Sequence, residues 1–423
     1  MWRFSLLLLF LSTITTGCDT VLAGSLKIAL LSDMHHLSPE LYNSGAALST
    51  HEKSTGRQFV EQQMVLDHVM SDLFQQKPDL LLISGDLTHH GERESHLDLI
   101  AKLEALERKG IRVLVVPGNH DINIPNAVAY RDIQPQPVEG ISKDDFAALY
   151  EPFGYGEAIA RDEASLSYVA ALNEHHWLLC FDSNRYDEHT TGSITAGRIK
   201  SQTMEWALAV LREAEAKGII VLGMMHHGLV EHMPYQSSFF PAYLVEEWER
   251  DAESLADAGM PLIFTGHFHA NDITRFDTPA GRHIYDVETG SLAHYPFAWR
   301  MMRLERNTLA LETHFVTSLQ GNSNLQEEAR QRLEIVSQRV AEGRLKGLGF
   351  PLPEELMPLL TDLIVKLHLK HVKGDEKEDT EMMQSLRQFA SFLGDEIDVD
   401  DFSFDFPPED LNLLIRLREV EQE

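Results

Sequence analysis

Cysteine is nearly absent from this chain: there are two in 423 residues, Cys18 and Cys180. That count excludes a disulfide framework and leaves no thiolate set for a sulfur-bound metal. Cys180, inside HWLLCFDS, reads as a small apolar side chain in a core strand. Basic residues are scarce as well, with 36 Lys and Arg against 66 Asp and Glu and a formal net charge of -30. Proteins that grip a phosphate backbone carry clustered Lys and Arg, so nucleic-acid duplex binding is not expected. The acidity is spread out, since residues 321–423 alone hold 12 Lys/Arg against 23 Asp/Glu, and no basic arm exists.

Long apolar runs are missing too, apart from the first segment. Met1-Trp2-Arg3 gives a short positive start, and Phe4 to Thr16 an apolar, leucine-rich run too short to span a bilayer comfortably. Residues 1–23 therefore read as an export signal, which places the protein outside the cytoplasm, periplasmic or at the cell surface. Two endings compete. Thr15-Thr16-Gly17-Cys18 is like a bacterial lipoprotein box, with Thr15 where Leu is usual, whereas Val21-Leu22-Ala23 suits ordinary signal-peptidase cleavage. The first is favoured here and implies membrane attachment through a lipidated Cys18; the second implies a soluble exported protein.

What remains is an ordinary globular composition, 43% hydrophobic and 24% charged, long enough for one large domain and a smaller one. From Ser25 onward, LKIALLSD, DLLLISGD, IRVLVVPGNH, GIIVLGMMHH and MPLIFTGH are near-continuous apolar runs, as expected of strands covered on both faces. Helical spacing fills the intervals 58–76, 92–108 and 198–217; in the second, Leu97, Ile100, Leu103 and Leu106 fall on one stripe. The alternation predicts an α/β sheet with helices outside it. Residues 272–315 turn to short strands with polar alternation, an antiparallel finish. SLQGNSN, 318–324, has linker composition and separates a domain over 25–318 from a small helical domain over 325–423. In that tail Leu356, Leu359, Leu360, Leu363, Ile364 and Leu367 form a stripe, and Pro407-Pro408 is expected to begin a further helix.

Each of the five apolar runs ends in metal-capable side chains: Asp33-Met34-His35, Gly85-Asp86, Gly118-Asn119-His120-Asp121, His226-His227 and Gly266-His267-Phe268-His269. A lone Asp at a strand end is usually a helix cap, and a lone His a hydrogen-bonded neighbour. Five such endings in succession are hard to attribute to chance, because open α/β sheets gather ligands beyond the carboxyl ends of their strands. Alternation in an extended stretch would let Asp33 and His35, or His267 and His269, address one ion together. Glycines 85, 118 and 266 would let the backbone turn sharply at the cleft. Imidazole and carboxylate donors suit Zn, Fe or Mn.

The order D-x-H, G-D, G-N-H-D, H, G-H-x-H resembles the calcineurin-like metallophosphoesterase superfamily over roughly residues 25–315. GDLTHHGERESHLDLIAKL, PGNHDINIPNA and ETGSLAHYP are similar to bacterial class III cyclic-nucleotide phosphodiesterases, some of which carry a C-terminal helical domain. The resemblance implies a four-layer α-β-β-α sandwich and two divalent or trivalent metal ions, Fe, Mn or Zn. Asp33, His35 and His269 would hold the first ion, Asn119, His226 and His267 the second, and Asp86 would bridge. A hydroxide held between the ions would attack phosphorus, while His120, oriented by Asp121, would stabilise phosphoryl oxygens or protonate the leaving alkoxide. His227 is the lesser candidate for the fourth motif, where relatives often show His-His-Pro. His36, His89 and His90 beside the motifs read as solvated loop histidines or as substrate contacts, and Tyr295 as a packed aromatic or a contact to a base. The expected substrate is a small phosphoester, a cyclic nucleotide or related diester. A phosphomonoesterase or nucleotidase on the same site is the rival, and a non-catalytic scaffold is the remaining reading. Because every expected ligand precedes residue 270, the tail is not expected to serve the chemistry.

Overall fold

In the computed structural model, which describes residues 24–347, 353, 355–374, 376–377, 379–393 and 403–418, the expected runs are strands. The N-terminal segment with Cys18 lies outside the described residues. β1 (Leu26–Leu31), β2 (Leu80–Ile83) and β3 (Arg112–Val115) lie side by side in parallel. All four residues of β2 are buried, which is why its sequence is apolar without alternation. A short ribbon, β4 (Val128–Ala129) with β5 (Gln136–Pro137), stands apart.

The second sheet is built from β6 (Ala160–Arg161), β7 (Tyr168–Ala171), β8 (His176–Cys180), β9 (Ile220–Met224), β10 (Leu262–Thr265), β11 (Asp272–Asp277) and β12 (His283–Glu288), in the order β11-β12-β10-β9-β8-β7-β6. β13 (Ala298–Leu304) and β14 (Thr308–Phe315) return to the first sheet, β13 antiparallel to β1 and β14 antiparallel to β13. The antiparallel finish is therefore present, with one exception: β12 runs parallel to β10.

Strand alternation builds two cores. Leu178, Cys180, Leu222 and Phe264 share a core with Leu30, Leu82 and Leu114, so the sheets pack face to face. Their neighbours Leu179, Phe181, Val221 and Ile263 point the other way, against α5 (Ser201–Ala216) and α7 (Trp248–Asp257). On the first sheet's outer face lie α2 (Phe59–Gln76), entered through α1 (Ala46–Thr55), and α3 (Arg93–Glu107). The shorter α4 (Lys143–Leu149) and α6 (Gln236–Phe239) sit in connections. The layers are α-β-β-α, as the resemblance implied. The stripe expected on α3 is displaced, because Leu97 is 40% exposed and Leu99 is buried in its place with Leu103 and Leu106.

The tail departs from the expected helical unit. It does contain α8 (Leu325–Lys346), α9 (Leu356–Lys373) and α10 (Thr380–Leu393). Among the described residues no helix follows Pro407-Pro408; the chain instead enters β15 (Asn412–Arg416), which pairs antiparallel with β14 and ends the first sheet. A five-residue run with three apolar side chains is ambiguous between helix and strand, and the unpaired edge of β14 decides it. Ile415 is buried there and Leu414 is exposed, the alternation of an edge strand. Leu325, Ala329, Leu333 and Val372 also join the core that unites the two sheets.

Candidate metal centre

Two parallel neighbours of one sheet and three of the other end at the same place. Asp33 and His35 follow β1, Asp86 follows β2, Asn119 and His120 follow β3, His226 follows β9, and His267 and His269 follow β10. Ligand-capable atoms of Asp33, His35, Asp86 and His269 all lie within 4.8 Å of one another, and so do those of Asp86, His226 and His267. Asp86 belongs to both groups: its Oδ2 is 3.5 Å from His35 Nε2 and its Oδ1 3.3 Å from His226 Nε2.

The spacing suits ions rather than hydrogen bonds. His35 Nε2 and His269 Nε2 stand 3.0 Å apart, His269 Nε2 is 3.0 Å from Asp33 Oδ1, and His226 Nε2 is 3.2 Å from both Asn119 Oδ1 and His267 Nδ1. Around an ion with bonds of about 2.0–2.2 Å, adjacent donor atoms stand roughly 3.0–3.6 Å apart. Asp33 Oδ1 is buried and accepts no hydrogen bond, a costly state for a carboxylate oxygen unless a cation takes it. These residues fit a pair of metal ions that share Asp86.

Outer partners orient most of the donor side chains, His35 excepted, whose Nδ1 is buried without a hydrogen bond among the described residues. His226 Nδ1 is 2.8 Å from the Ser84 carbonyl and His267 Nε2 3.1 Å from that of Ala242, so each gives its N–H away and keeps the other nitrogen for the centre. His269 does the same through His294: its Nδ1–H donates to His294 Nε2 at 2.7 Å, while His294 Nδ1–H donates to the Tyr295 carbonyl. Asn119 Nδ2 donates to Ser193 Oγ at 2.7 Å, which leaves Oδ1 facing His226. Asp33 Oδ2 accepts from Ser32 Oγ and from the His267 amide. Burial pushes the Asp86 carboxyl up, but His226, His120 and His35 outweigh it and hold it well below the usual carboxylate range. Burial lowers His226, yet Asp86 and Asp33 bring it up to about 9. Burial keeps His267 down at about 3, with His226 adding to it.

The backbone here is not extended. Asp33, His35, Asp86, His267 and His269 all have φ between 43° and 74°, in the left-handed region that L side chains seldom adopt. The alternation expected to pair His267 with His269 is absent, and the two face different groups: His267 joins His226, and His269 joins Asp33 and His35. Among the glycines, Gly85 does take a positive φ, of 98°. Gly118 and Gly266 matter for space instead, because a Cβ would lie 2.2 Å from Asp86 Oδ1 at the first and 1.9 Å from Ser32 Oγ at the second.

Asp121 is not the partner of His120. Its carboxylate accepts from the Leu87, Thr88 and Gly118 amides and from Thr88 Oγ1, tying the Asp86 loop to the Asn119 turn. His120 is held instead by His89, whose carbonyl accepts from Nδ1–H at 2.8 Å, and its amide donates to Asp86 Oδ1. Of the flanking histidines, His36 is buried and its Nε2 is hydrogen-bonded to Asp98 Oδ2 at 2.6 Å, and His89 is buried against His51, Phe59 and Tyr130. Neither is a solvated loop residue. His90 lies beside His120, its ring centroid 5.0 Å away and tilted by 55°. His227 faces Ser183 and Thr195 rather than the Asp86 groups, and Tyr295 is packed into the core.

Sequence reasoning missed Arg57, Ser193 and His294. Arg57 follows the left-handed Gly56 between α1 and α2, makes no ion pair among the described residues, and its charge acts on His35, His90 and His120. Burial lowers its guanidinium, with Asp86 and Asp33 pulling the other way. No local pattern marks it; only His294, in SLAHYP, lay inside a segment already singled out.

The family model for calcineurin-like phosphoesterase matches residues 26–271. No curated protein matches the chain. Among solved structures, a dimetal phosphatase from Danio rerio is similar at 13% identity and a TM-score of 0.50, covering 69% of this chain and 96% of its own. A purple acid phosphatase from yellow lupin, Lupinus luteus, covers 70% of this chain and 52% of its own at 11% identity and a TM-score of 0.42. At such identities the likeness is one of fold.

Proposed function

The chain belongs to the calcineurin-like phosphoesterase family, and on that premise we propose that it hydrolyses phosphodiesters, cyclic nucleotides or related small diesters, at the Asp86-centred site. The observation that carries this reading is the convergence of four separate motifs on two donor groups sharing one carboxylate, with Asn119 of the remaining motif beside His226. Asp33, His35 and His269 would hold one ion, Asn119, His226 and His267 the other, and Asp86 both. A metal pair of this kind polarises phosphoryl oxygens and lowers the pKa of water at neutral pH. His120, its Nδ1–H held by the His89 carbonyl, would act as the imidazolium, passing its Nε2 proton to the departing oxygen and remaining as the neutral ring. Arg57, with no carboxylate partner among the described residues, supplies one fixed positive charge for a non-bridging oxygen. One such charge beside the metals suits a singly charged diester; a doubly charged monoester would gain from more.

A chromogenic panel tests this: bis-p-nitrophenyl phosphate, p-nitrophenyl phosphate and cyclic nucleotides, each with Mn added. Faster turnover of the diesters is expected; preference for the monoester would establish the phosphomonoesterase or nucleotidase reading. Absence of turnover with metal bound would leave a scaffold. We further propose export with lipid attachment at Cys18. Cys18→Ser should release the protein from membranes with activity intact, and a mature chain beginning at Gly24 would favour simple cleavage.

A further inference from the structure

A second group of buried, metal-capable side chains lies where the tail meets the second sheet. Asp272 opens β11, three residues after His269, and is fully buried. His371 is in the last turn of α9 and Glu376 just beyond it; both are also buried. Donor atoms of the three lie within 4.8 Å of one another, and Glu376 makes a further set with Asp405 and Asp410. His371 Nδ1 contacts Glu376 Oε1 and stands 3.5 Å from Asp272 Oδ2. Asp272 Oδ2 and Glu376 Oε2 are buried and accept no hydrogen bond.

Charge makes those two oxygens unusual. Asp272, Asp286, Glu288, Glu376 and Asp410 are at most 2% exposed, and the buried cations among them are Arg300, His232 and His371. Arg300 spends its guanidinium on Thr289, Thr313 and the carbonyls of Glu288 and Asp410 rather than on a carboxylate. His232 Nδ1 serves Asp272 Oδ1, and Asp286 accepts from the Leu229 and Val230 amides and Thr265 Oγ1. A buried carboxylate oxygen that accepts no hydrogen bond is unfavourable, and a proton or a metal ion relieves it. Burial pushes Glu288 up to about 8, so a proton answers for that group.

We propose that Asp272, His371 and Glu376 hold a further divalent cation, distinct from the Asp86 pair, that fastens the segment after α9 to the strand leaving His267-Phe268-His269. One imidazole with carboxylates selects Zn or Mn over the oxygen-only preference of Ca or Mg. Phe268 packs edge-on against His371, ring centroids 5.1 Å apart, so the fastened tail also backs the loop between the two histidine ligands.

Metal titration of the full-length chain tests the site independently of any hydrolytic reading. After chelation and dialysis, the protein is reloaded with Mn or with Zn and the bound metal is counted by mass spectrometry. Wild type should bind one equivalent more than either E376Q or D272N, and both variants should keep turnover of bis-p-nitrophenyl phosphate. Asp86→Ala should lose the pair and retain the extra ion, and protease should cut near Lys377 sooner in E376Q than in loaded wild type. Equal stoichiometry in wild type, E376Q and D272N, or an Asp86→Ala chain that binds nothing, overturns the proposal and leaves a protonated His371 as the partner of the two carboxylates. Should Asp86→Ala leave the count unchanged while E376Q lowers it, this site stands and the dimetal reading fails.

Discussion

The Asp86 centre and the Asp272–His371–Glu376 group are both buried clusters of carboxylate and imidazole, yet they are assembled in opposite ways. In the first, every donor lies within a few residues of a strand end, and the sheets alone bring them together. In the second, one donor comes from a strand of the sheet and two from a tail segment about a hundred residues away in sequence. Chemistry therefore rests on parallel strands that a sheet must align anyway, whereas attachment of the tail depends on long-range closure.

The comparison breaks most decisively if the tail proves separable. A chain ending at Ser318 loses Leu325, Ala329, Leu333 and Val372 from the shared core and exposes the edge of β14. Each large buried apolar side chain is worth about 2–5 kcal/mol, against a total of about 5–15 for a domain. Little soluble, folded protein is expected by circular dichroism and gel filtration. A soluble truncation that still binds metal would show the tail to be an appendage.

Asp86→Ala should come next, with loss of both ions and a fall in turnover on the order of a thousandfold or more for every ester, since it removes the shared ligand. Metal retained at full stoichiometry would disprove the bridging role. His120→Ala should keep both ions, because His120 is in neither donor group. Its loss of rate should be larger for alkyl or ribose leaving groups than for nitrophenolate, within the about hundred- to ten-thousandfold range of general acid catalysis. Equal slowing of both kinds would rule the acid role out. The smallest effect belongs to His294→Phe, which removes the acceptor for His269 Nδ1–H and should weaken metal affinity by about 10- to 100-fold while leaving kcat at saturating Mn nearly intact.

The residues of the centre were legible because ligand chemistry there is local: each motif is a few residues long and follows an apolar run. Its conformations were not. Five ligands in the left-handed region look, in sequence, like ordinary extended residues. Asp121 shows the same limit, since adjacency to His120 suggested a pair while the turn sends its carboxylate to three amides instead. The sandwich followed from buried strand patterns. β15 did not, because NLLIR acquires its strand character only from β14, and Arg57 belongs to the site only through the fold.

The left-handed backbone at Asp33, His35, Asp86, His267 and His269 also makes this centre a reservoir of strain, at on the order of 1–3 kcal/mol per residue. Glycine at such a position relaxes the turn and removes a ligand in the same step. Stability and activity are therefore in direct competition here: selection for thermal resistance alone would drift toward chains that melt later and hydrolyse nothing.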